Sequence, residues 1–393
     1  MGKLVLMLDL PSSVRAGDTR RASPATQKVF LDFIMLRIIF DRMPENICTP
    51  RRTTVRDTTN QPCTIARYLL QRLHEAGIEH MFGVPGDYVL DFLDAVLASP
   101  VRWIGTCNEL DAGYAADGYA RMKGAGVVTV TYGVGALSML NAVAGAFAER
   151  IPLIVISGAP PRRRRETGAL VHHLIADYDT QLEIFKKVTA DAVILNDPPT
   201  APDVIDRVLQ MALTRKRPVY IELPGDMPHI QCRAPAVLPP VSGPQSDPDS
   251  LRDSVVEAAQ LLNQAEHPVV LAGAELQRFG LGSDALRLVE AAELPFATIL
   301  SSKSVLPELH LQFIGIYQGA WSQEGVRRQV ESADCLLSIG VQMTELDSGL
   351  FSCQLDSRRQ IVAGDGRREQ KKTHLHRTRH RQVRLFGRLG ASR

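Results

Sequence analysis

The run PLIVISG at residues 152–158 constrains this chain more than any other feature. It carries no charge over seven residues, so both alternating faces of the strand it predicts need cover. That is the situation of a parallel sheet with helices packed on each side. The surrounding text repeats the arrangement. TIARYLLQRLHEAG places Ile65, Tyr68, Leu69 and Leu73 at helical spacing, with Thr64 as N-cap and Gly77 as a stop. Then strand-like HMFGV, VRWIGT and VVTVTYG alternate with helical DYVLDFLDAVL, NELDAGYAADGYARMKG and ALSMLNAVAGAFAER, and a helix over 201–214 leads into PVYIELP. The expectation is an α/β fold, with a first doubly wound parallel-sheet domain over residues 61–232.

Residues 233–249, which include PAVLPPVSGPQSDP, read as a linker. A second βα series follows over 250–363. It has an amphipathic helix over 250–265, a helix over 283–292, and strands in HPVVLAGA, PFATIL, ADCLLSIG and RQIVAG. With 393 residues and one domain per ~150, two to three domains are expected, and the pattern shows two of them. Residues 1–60 show no sustained period and are expected to be a poorly ordered extension, while 364–393 form a basic tail off the pattern.

The charge distribution excludes some functions. Residues 61–363 carry 25 basic and 35 acidic groups, whereas 364–393 carry 10 and 2. An acidic body argues against nucleic acid as the main partner, since phosphate binding needs clustered Lys and Arg on a folded face. The tail lacks both aromatic interleaving and an amphipathic face. No apolar stretch reaches the ~20 residues of a membrane span. Six scattered cysteines, Cys48, Cys63, Cys107, Cys232, Cys335 and Cys353, suggest neither a disulfide framework nor a zinc site, which points to a cytoplasmic chain.

Two glycine-rich stretches, GVGALS at 133–138 and GLGSDA at 280–285, do not complete a dinucleotide fingerprint and are expected to be tight turns. The combination Val84-Pro85-Gly86-Asp87-Tyr88, Asn108-Glu109-Leu110 and Thr131-Tyr132-Gly133-Val134-Gly135 says more. Each part lies at or just after the carboxyl end of an expected strand, where open parallel sheets bind ligands.

These residues resemble the thiamine-diphosphate-dependent 2-oxo acid decarboxylases of the pyruvate, indolepyruvate and phenylpyruvate type. HMFGVPGDYVLDFLD, NELDAGYAADGYARMKG, VVTVTYGVGALSMLNAVAGAFAE and PLIVISGAP are similar to the family's pyrimidine-binding domain. The His pair of GALVHHLIADYDTQLEIFKKVT separates this branch from acetolactate synthases. KSVLPELHLQFIGIYQGA and ADCLLSIGVQMTELDSG are similar to the family's Rossmann-like central domain, and the resemblance ends near Ala363.

The resemblance implies a small-molecule 2-oxo acid substrate, decarboxylated to an aldehyde with thiamine diphosphate as the electron sink. It implies that Glu109 hydrogen-bonds N1′ of the aminopyrimidine, and that Asp87, His172 and His173 handle protons. Pro85, Gly86 and Thr131 would line the pyrimidine pocket. A homodimer or tetramer through the pyrimidine domain is likewise implied. The family's magnesium and diphosphate are held by a third domain beginning G-D-G-S. Here Gly364-Asp365-Gly366 is followed by Arg367, and the last asparagine of the sequence is Asn263. The magnesium ligands are therefore expected outside these residues, and the chain is read as a shortened decarboxylase, inactive alone. The alternatives are a noncatalytic protein that pairs with a complete homologue, or an acetolactate-synthase-type carboligase. The run Arg162–Arg165, unlike anything in the family, is expected to be a solvated charge run.

Overall fold

Residues 63–233 and 248–364 are described in the computed structural model, and they fall into two compact units. The expectations for residues 1–60 and for the basic tail beyond Gly364 lie outside the described residues, as does most of the linker.

The first unit runs α1 (Ile65–Glu75), β1 (His80–Gly83), a 3-10 turn (Asp87–Val89), α2 (Leu90–Leu97), β2 (Arg102–Gly105), α3 (Glu109–Lys123) and β3 (Gly126–Val130). It continues through α4 (Val134–Ser138), α5 (Leu140–Ala148), β4 (Leu153–Ala159), α6 (Arg162–Glu166), α7 (Thr180–Val188), β5 (Asp191–Ile194), α8 (Ala201–Arg215) and β6 (Val219–Pro224). The strands form one six-stranded sheet in the order β2-β1-β3-β4-β6-β5, every pair parallel.

Strand β4 is buried along its whole length, between β3 and β6. Its side chains alternate between two apolar layers. Ile154 and Ile156 join Ile65, Leu69, Phe92 and Val208 on one face, and Leu153 and Val155 join Ala116, Val143 and Phe185 on the other. Burial of each such side chain stabilises the fold by roughly 1.5–3 kcal/mol, which is why an uncharged strand sits at the centre. The unit's two ends are pinned together, with Thr64 and Gln231 in an isolated antiparallel bridge and the Cys232 N–H donating to the Cys63 carbonyl at 2.9 Å.

The second unit runs α9 (Pro248–Gln264), β7 (Pro268–Ala272), α10 (Glu275–Arg278), α11 (Gly282–Ala291), β8 (Phe296–Ile299), β9 (Phe313–Tyr317), α12 (Glu324–Ser332), β10 (Cys335–Ile339) and β11 (Gln360–Ala363). Its five strands are all parallel, in the order β11-β10-β7-β8-β9. The first strand β7 is flanked by β8 and β10, so this sheet too reverses direction beside its first strand.

The α/β reading with two parallel sheets holds. Two local expectations do not. The helix expected over ALSMLNAVAGAFAER is two segments, divided at fully buried Met139, where φ −93° and ψ 4° leave the helical region. Arg162–Arg165 is solvated only in part: it lies on the short helix α6, where Arg163 and Arg164 are exposed while Arg162 and Arg165 are half-buried and ion-paired to Asp226 and Asp179. Gly133 and Gly280 have φ of +67° and +69°, the left-handed turns for which glycine is suited. No helix among the described residues is long and apolar enough to cross a membrane.

Candidate active site at the carboxyl edge of the first sheet

The strand order places the first sheet's switch point between β1 and β3. Chains leaving neighbouring strands there diverge to opposite faces and open a crevice. The segment after β1 carries Pro85, Gly86 and Asp87, and the segment after β3 carries Thr131 and Gly133. Gly86 is required by contact: a Cβ at this position would lie 2.4 Å from Thr131 Cβ. That close approach lets Thr131 Oγ1 donate to Asp87 Oδ1 at 3.3 Å. Pro85 is exposed on the approach to Gly86.

The loop beyond α6 brings the histidine pair to the same point. His172 Nε2 is hydrogen-bonded and ion-paired to Asp87 Oδ2. Its Nδ1 lies 3.1 Å from the Tyr88 hydroxyl, and the Tyr88 and His172 rings stack at 4.6 Å. His173 packs its ring edge-on against His172 at 4.7 Å and has a φ of +65°. Among the described residues its ring nitrogens make no hydrogen bond. Partial desolvation acts to raise the Asp87 carboxyl. The hydrogen bond and charge of His172, helped by the Tyr88 N–H and Thr131, prevail and hold it below the ordinary carboxylate range. Ligand atoms of Asp87, His172 and His173 lie within 4.8 Å of one another, a spacing that also suits a metal ion, although such an ion would compete with the Asp87–His172 bond.

Glu109 reaches the crevice from the head of α3. The Asn108 side chain caps that helix, its Oδ1 accepting from the Asp111 N–H at 2.9 Å, so Glu109 is not needed as the cap. The small buried face Ala112, Gly113, Ala116 and Ala120 brings α3 close to the sheet. A Cβ on Gly113 would lie 2.8 Å from Ala142 Cβ, and one on Gly126 would lie 2.2 Å from the Ala116 carbonyl. The half-buried Glu109 carboxylate makes no hydrogen bond or ion pair among the described residues. A Cβ on Gly135 would stand 3.5 Å from Glu109 Oε1 and 2.9 Å from Thr131 Cγ2, so glycine keeps the space above both open.

Asp87, Thr131, His172 and His173 thus form one contiguous cluster, and Glu109 lies beside Thr131 across Gly135. Sequence reasoning gave no role to Tyr88, the stacking partner of His172, and missed a buried group beneath the cluster made of Gln181, Ser157, Tyr220 and Glu222. Burial pushes the Glu222 carboxyl up to about 7, against the opposing pull of Tyr220, Arg165 and Gln181. A cavity of about 420 Å³ lined by Pro198, Pro199, Gln231, Cys232 and Arg233 contains none of the cluster residues. The cluster lies in an exposed crevice, with Asp87, His172 and His173 all open to solvent.

Two family models match the chain. Residues 63–182 match the family described as thiamine pyrophosphate enzyme, N-terminal TPP binding domain, and residues 255–391 match its central domain. The second match runs past Ala363. An alpha-keto-acid decarboxylase of Mycobacterium leprae (strain TN) is 40% identical over 304 residues, which is 77% of this chain and 53% of the relative. One from Mycobacterium tuberculosis (strain ATCC 25618 / H37Rv) is 40% identical over 321 residues, 80% of this chain and 56% of the relative. One from Mycobacterium avium (strain 104) is 40% identical over 316 residues, with shares of 79% and 55%. The chain spans about half the length of these relatives.

Proposed function

We propose, since the chain belongs to the thiamine pyrophosphate enzyme family, that it contributes the pyrimidine-binding half of a site for decarboxylating a small 2-oxo acid to an aldehyde. The observation that carries this reading is the unpartnered Glu109 carboxylate set beside the Asp87–His172 pair at a switch-point crevice. The donor set fits the cofactor's aminopyrimidine end: one free carboxylate, a hydroxyl at Thr131, and open space above Gly135 that a single methyl would fill. Thiamine diphosphate, when bound, supplies the electron sink that no side chain offers.

Glu109 holds a proton against a ring nitrogen of the aminopyrimidine, as a carboxylate with no competing protein partner is free to do. Asp87 fixes His172 by its Nε2 and Tyr88 holds the other edge, so His172 is an oriented donor rather than a freely turning one. His173, with both ring nitrogens open, exchanges protons with substrate or water. His172 keeps Asp87 ionised, and the Thr131 hydroxyl donates to Asp87 Oδ1 and helps hold it in place.

Magnesium and the diphosphate are proposed to be held by residues other than these, and the two described domains to be inactive without them. Exposed apolar side chains on α3 and α4, with Met122 80%, Val134 57% and Tyr114 49% exposed, support association through this domain as a homodimer or tetramer. The free thiols at Cys63, Cys107, Cys232, Cys335 and Cys353 suit a cytoplasmic setting.

Calorimetric titration of the chain with thiamine diphosphate and magnesium, followed by aldehyde assays on several 2-oxo acids with a family diphosphate domain supplied, tests the reading. Aldehyde formation that E109Q abolishes supports it. Acetolactate as the product would replace decarboxylation with carboligation, and no product in any combination would leave a noncatalytic partner protein.

A further inference from the structure

We infer that Gln181 and Glu222 are positioning residues for the histidine pair, acting through a buried relay that fixes the turn on which His173 rests. The inference rests on the reading of that pair as proton-handling groups.

The relay begins at the Gly133 N–H, which donates to Gln181 Oε1 at 2.6 Å. A side-chain amide has one acceptor end and one donor end, so this bond turns its nitrogen the other way. Gln181 Nε2 then points at Tyr220 OH at 2.5 Å, Ser157 Oγ at 3.2 Å and Glu222 Oε2 at 3.4 Å. The Tyr220 hydroxyl donates to Glu222 Oε2 at 3.0 Å. Glu222 accepts from both, which makes the reversed amide unfavourable: it would set an oxygen against the carboxyl and a donor against the Gly133 N–H. All four side chains are at most 2% exposed, so water does not supply a substitute partner.

Two contacts carry the orientation outward. Gly133 lies directly under His173: a Cβ there would be 2.3 Å from the His173 carbonyl oxygen and 2.9 Å from His173 Cβ. Any displacement of the turn therefore moves the His173 backbone, which is already held in the left-handed region. On the far side, Arg165 lies 4.0 Å from Glu222 Oε1, donates to the Tyr178 carbonyl at 2.7 Å and pairs with Asp179. The loop of the histidine pair is thus tied at its Tyr178–Asp179 end by an arginine that also faces Glu222. Because Gln181 and Glu222 touch neither histidine side chain, their role is to set where the pair stands.

The test uses the full chain with isotope-labelled histidine rings and backbone amides. Q181M keeps the volume and removes both ends of the amide. The expected result is Gly133 amide exchange about tenfold faster and displaced His173 ring resonances, with those of His310 of the other unit unmoved. E222Q keeps an acceptor oxygen and is expected to leave both readouts at their original values, whereas E222L reproduces Q181M. Unchanged Gly133 exchange and His173 ring resonances in folded Q181M would overturn the inference. So would loss of the fold in both Q181M and E222L, which would assign the relay to core stability alone. Aldehyde assays on the same variants, with a family diphosphate domain supplied, separate the two readings. A relay response in a chain that forms no aldehyde in that mixture leaves the relay standing and removes the decarboxylase reading; aldehyde formation with no relay response does the reverse.

Discussion

At the first sheet's switch point, between β1 and β3, Gly86 closes onto Thr131 while Asp87 and the histidines stand outward into solvent. At the corresponding point of the second sheet, between β7 and β10, the backbone itself fills the space. A Cβ on Gly273 would lie 2.0 Å from the Gly340 carbonyl oxygen, the Gly273 N–H donates to Ile339 at 2.8 Å, and the Glu275 N–H donates to Gly340 at 3.2 Å. Both sheets are parallel and reverse beside their first strand. Topology alone therefore does not make a site. In the first sheet the glycines make room for polar side chains, and in the second they let main chain meet main chain.

The sharpest way to break that contrast is at Glu109. With the diphosphate half supplied, E109Q is expected to lower kcat/KM for aldehyde formation by about 10²–10⁴-fold, with an unchanged denaturant midpoint. An E109Q enzyme of undiminished activity would remove the first sheet's claim to chemistry.

Next comes the buried acid beneath the crevice. The Glu222 carboxyl, ordinarily near 4.5, stands at about 7 in the fold. A raised acid contributes its stability below the unfolded value and loses it as pH rises through the folded one. The native chain should therefore weaken between about pH 4.5 and 7, by roughly 3 kcal/mol. E222Q should lose this part of the pH dependence, which urea titrations at several pH values would reveal.

A matched pair of added methyls asks what each switch point is for. G273A drives a Cβ into backbone that cannot yield cheaply and is expected to cost about 1–3 kcal/mol in chemical denaturation. G135A meets Thr131 Cγ2 and the end of the Glu109 side chain instead, so its main effect should be on thiamine diphosphate affinity measured by calorimetry. Equal effects on affinity from both would erase the distinction.

The smallest change is expected at Arg162. Its pair with Asp226 is about a third exposed on both sides, so R162A should cost no more than ~1 kcal/mol in thermal or urea unfolding. R163A, on an exposed residue of the same helix, should cost nothing measurable.

How much of this was legible depended on local pattern. The central strands β3, β4 and β6 are buried on both faces, and their runs of apolar residues announce it. Strand β5 is half-buried throughout and reads only as DAVI. Strand β9 is half-buried up to Tyr317 and interrupted by Gly315, and helix α12 is only nine residues long with just Val326 and Val330 marking its buried face. Asp87, Glu109 and Thr131 could be read because each follows a recognisable strand. Gln181 could not, since in DTQLEIF it looks like an ordinary polar residue in the first turn of a helix. Its burial exists only because Tyr220 and Glu222 on β6 come to meet it. Arg162 and Arg165 were hidden by composition: four consecutive arginines suggest solvent, but the first and fourth share a helical face and turn inward to partners 64 and 14 residues away.

The Thr64–Gln231 bridge makes the first domain's entrance and exit neighbours. Chain order within it is then a matter of convenience rather than necessity. A short splice from Cys232 back to Cys63, with new termini opened at the turn preceding α8, would give a circular permutant with the same sheet and the same crevice. For the same reason the domain can be lifted out of one polypeptide and inserted into the surface loop of another, because a host needs to offer only two adjacent attachment points.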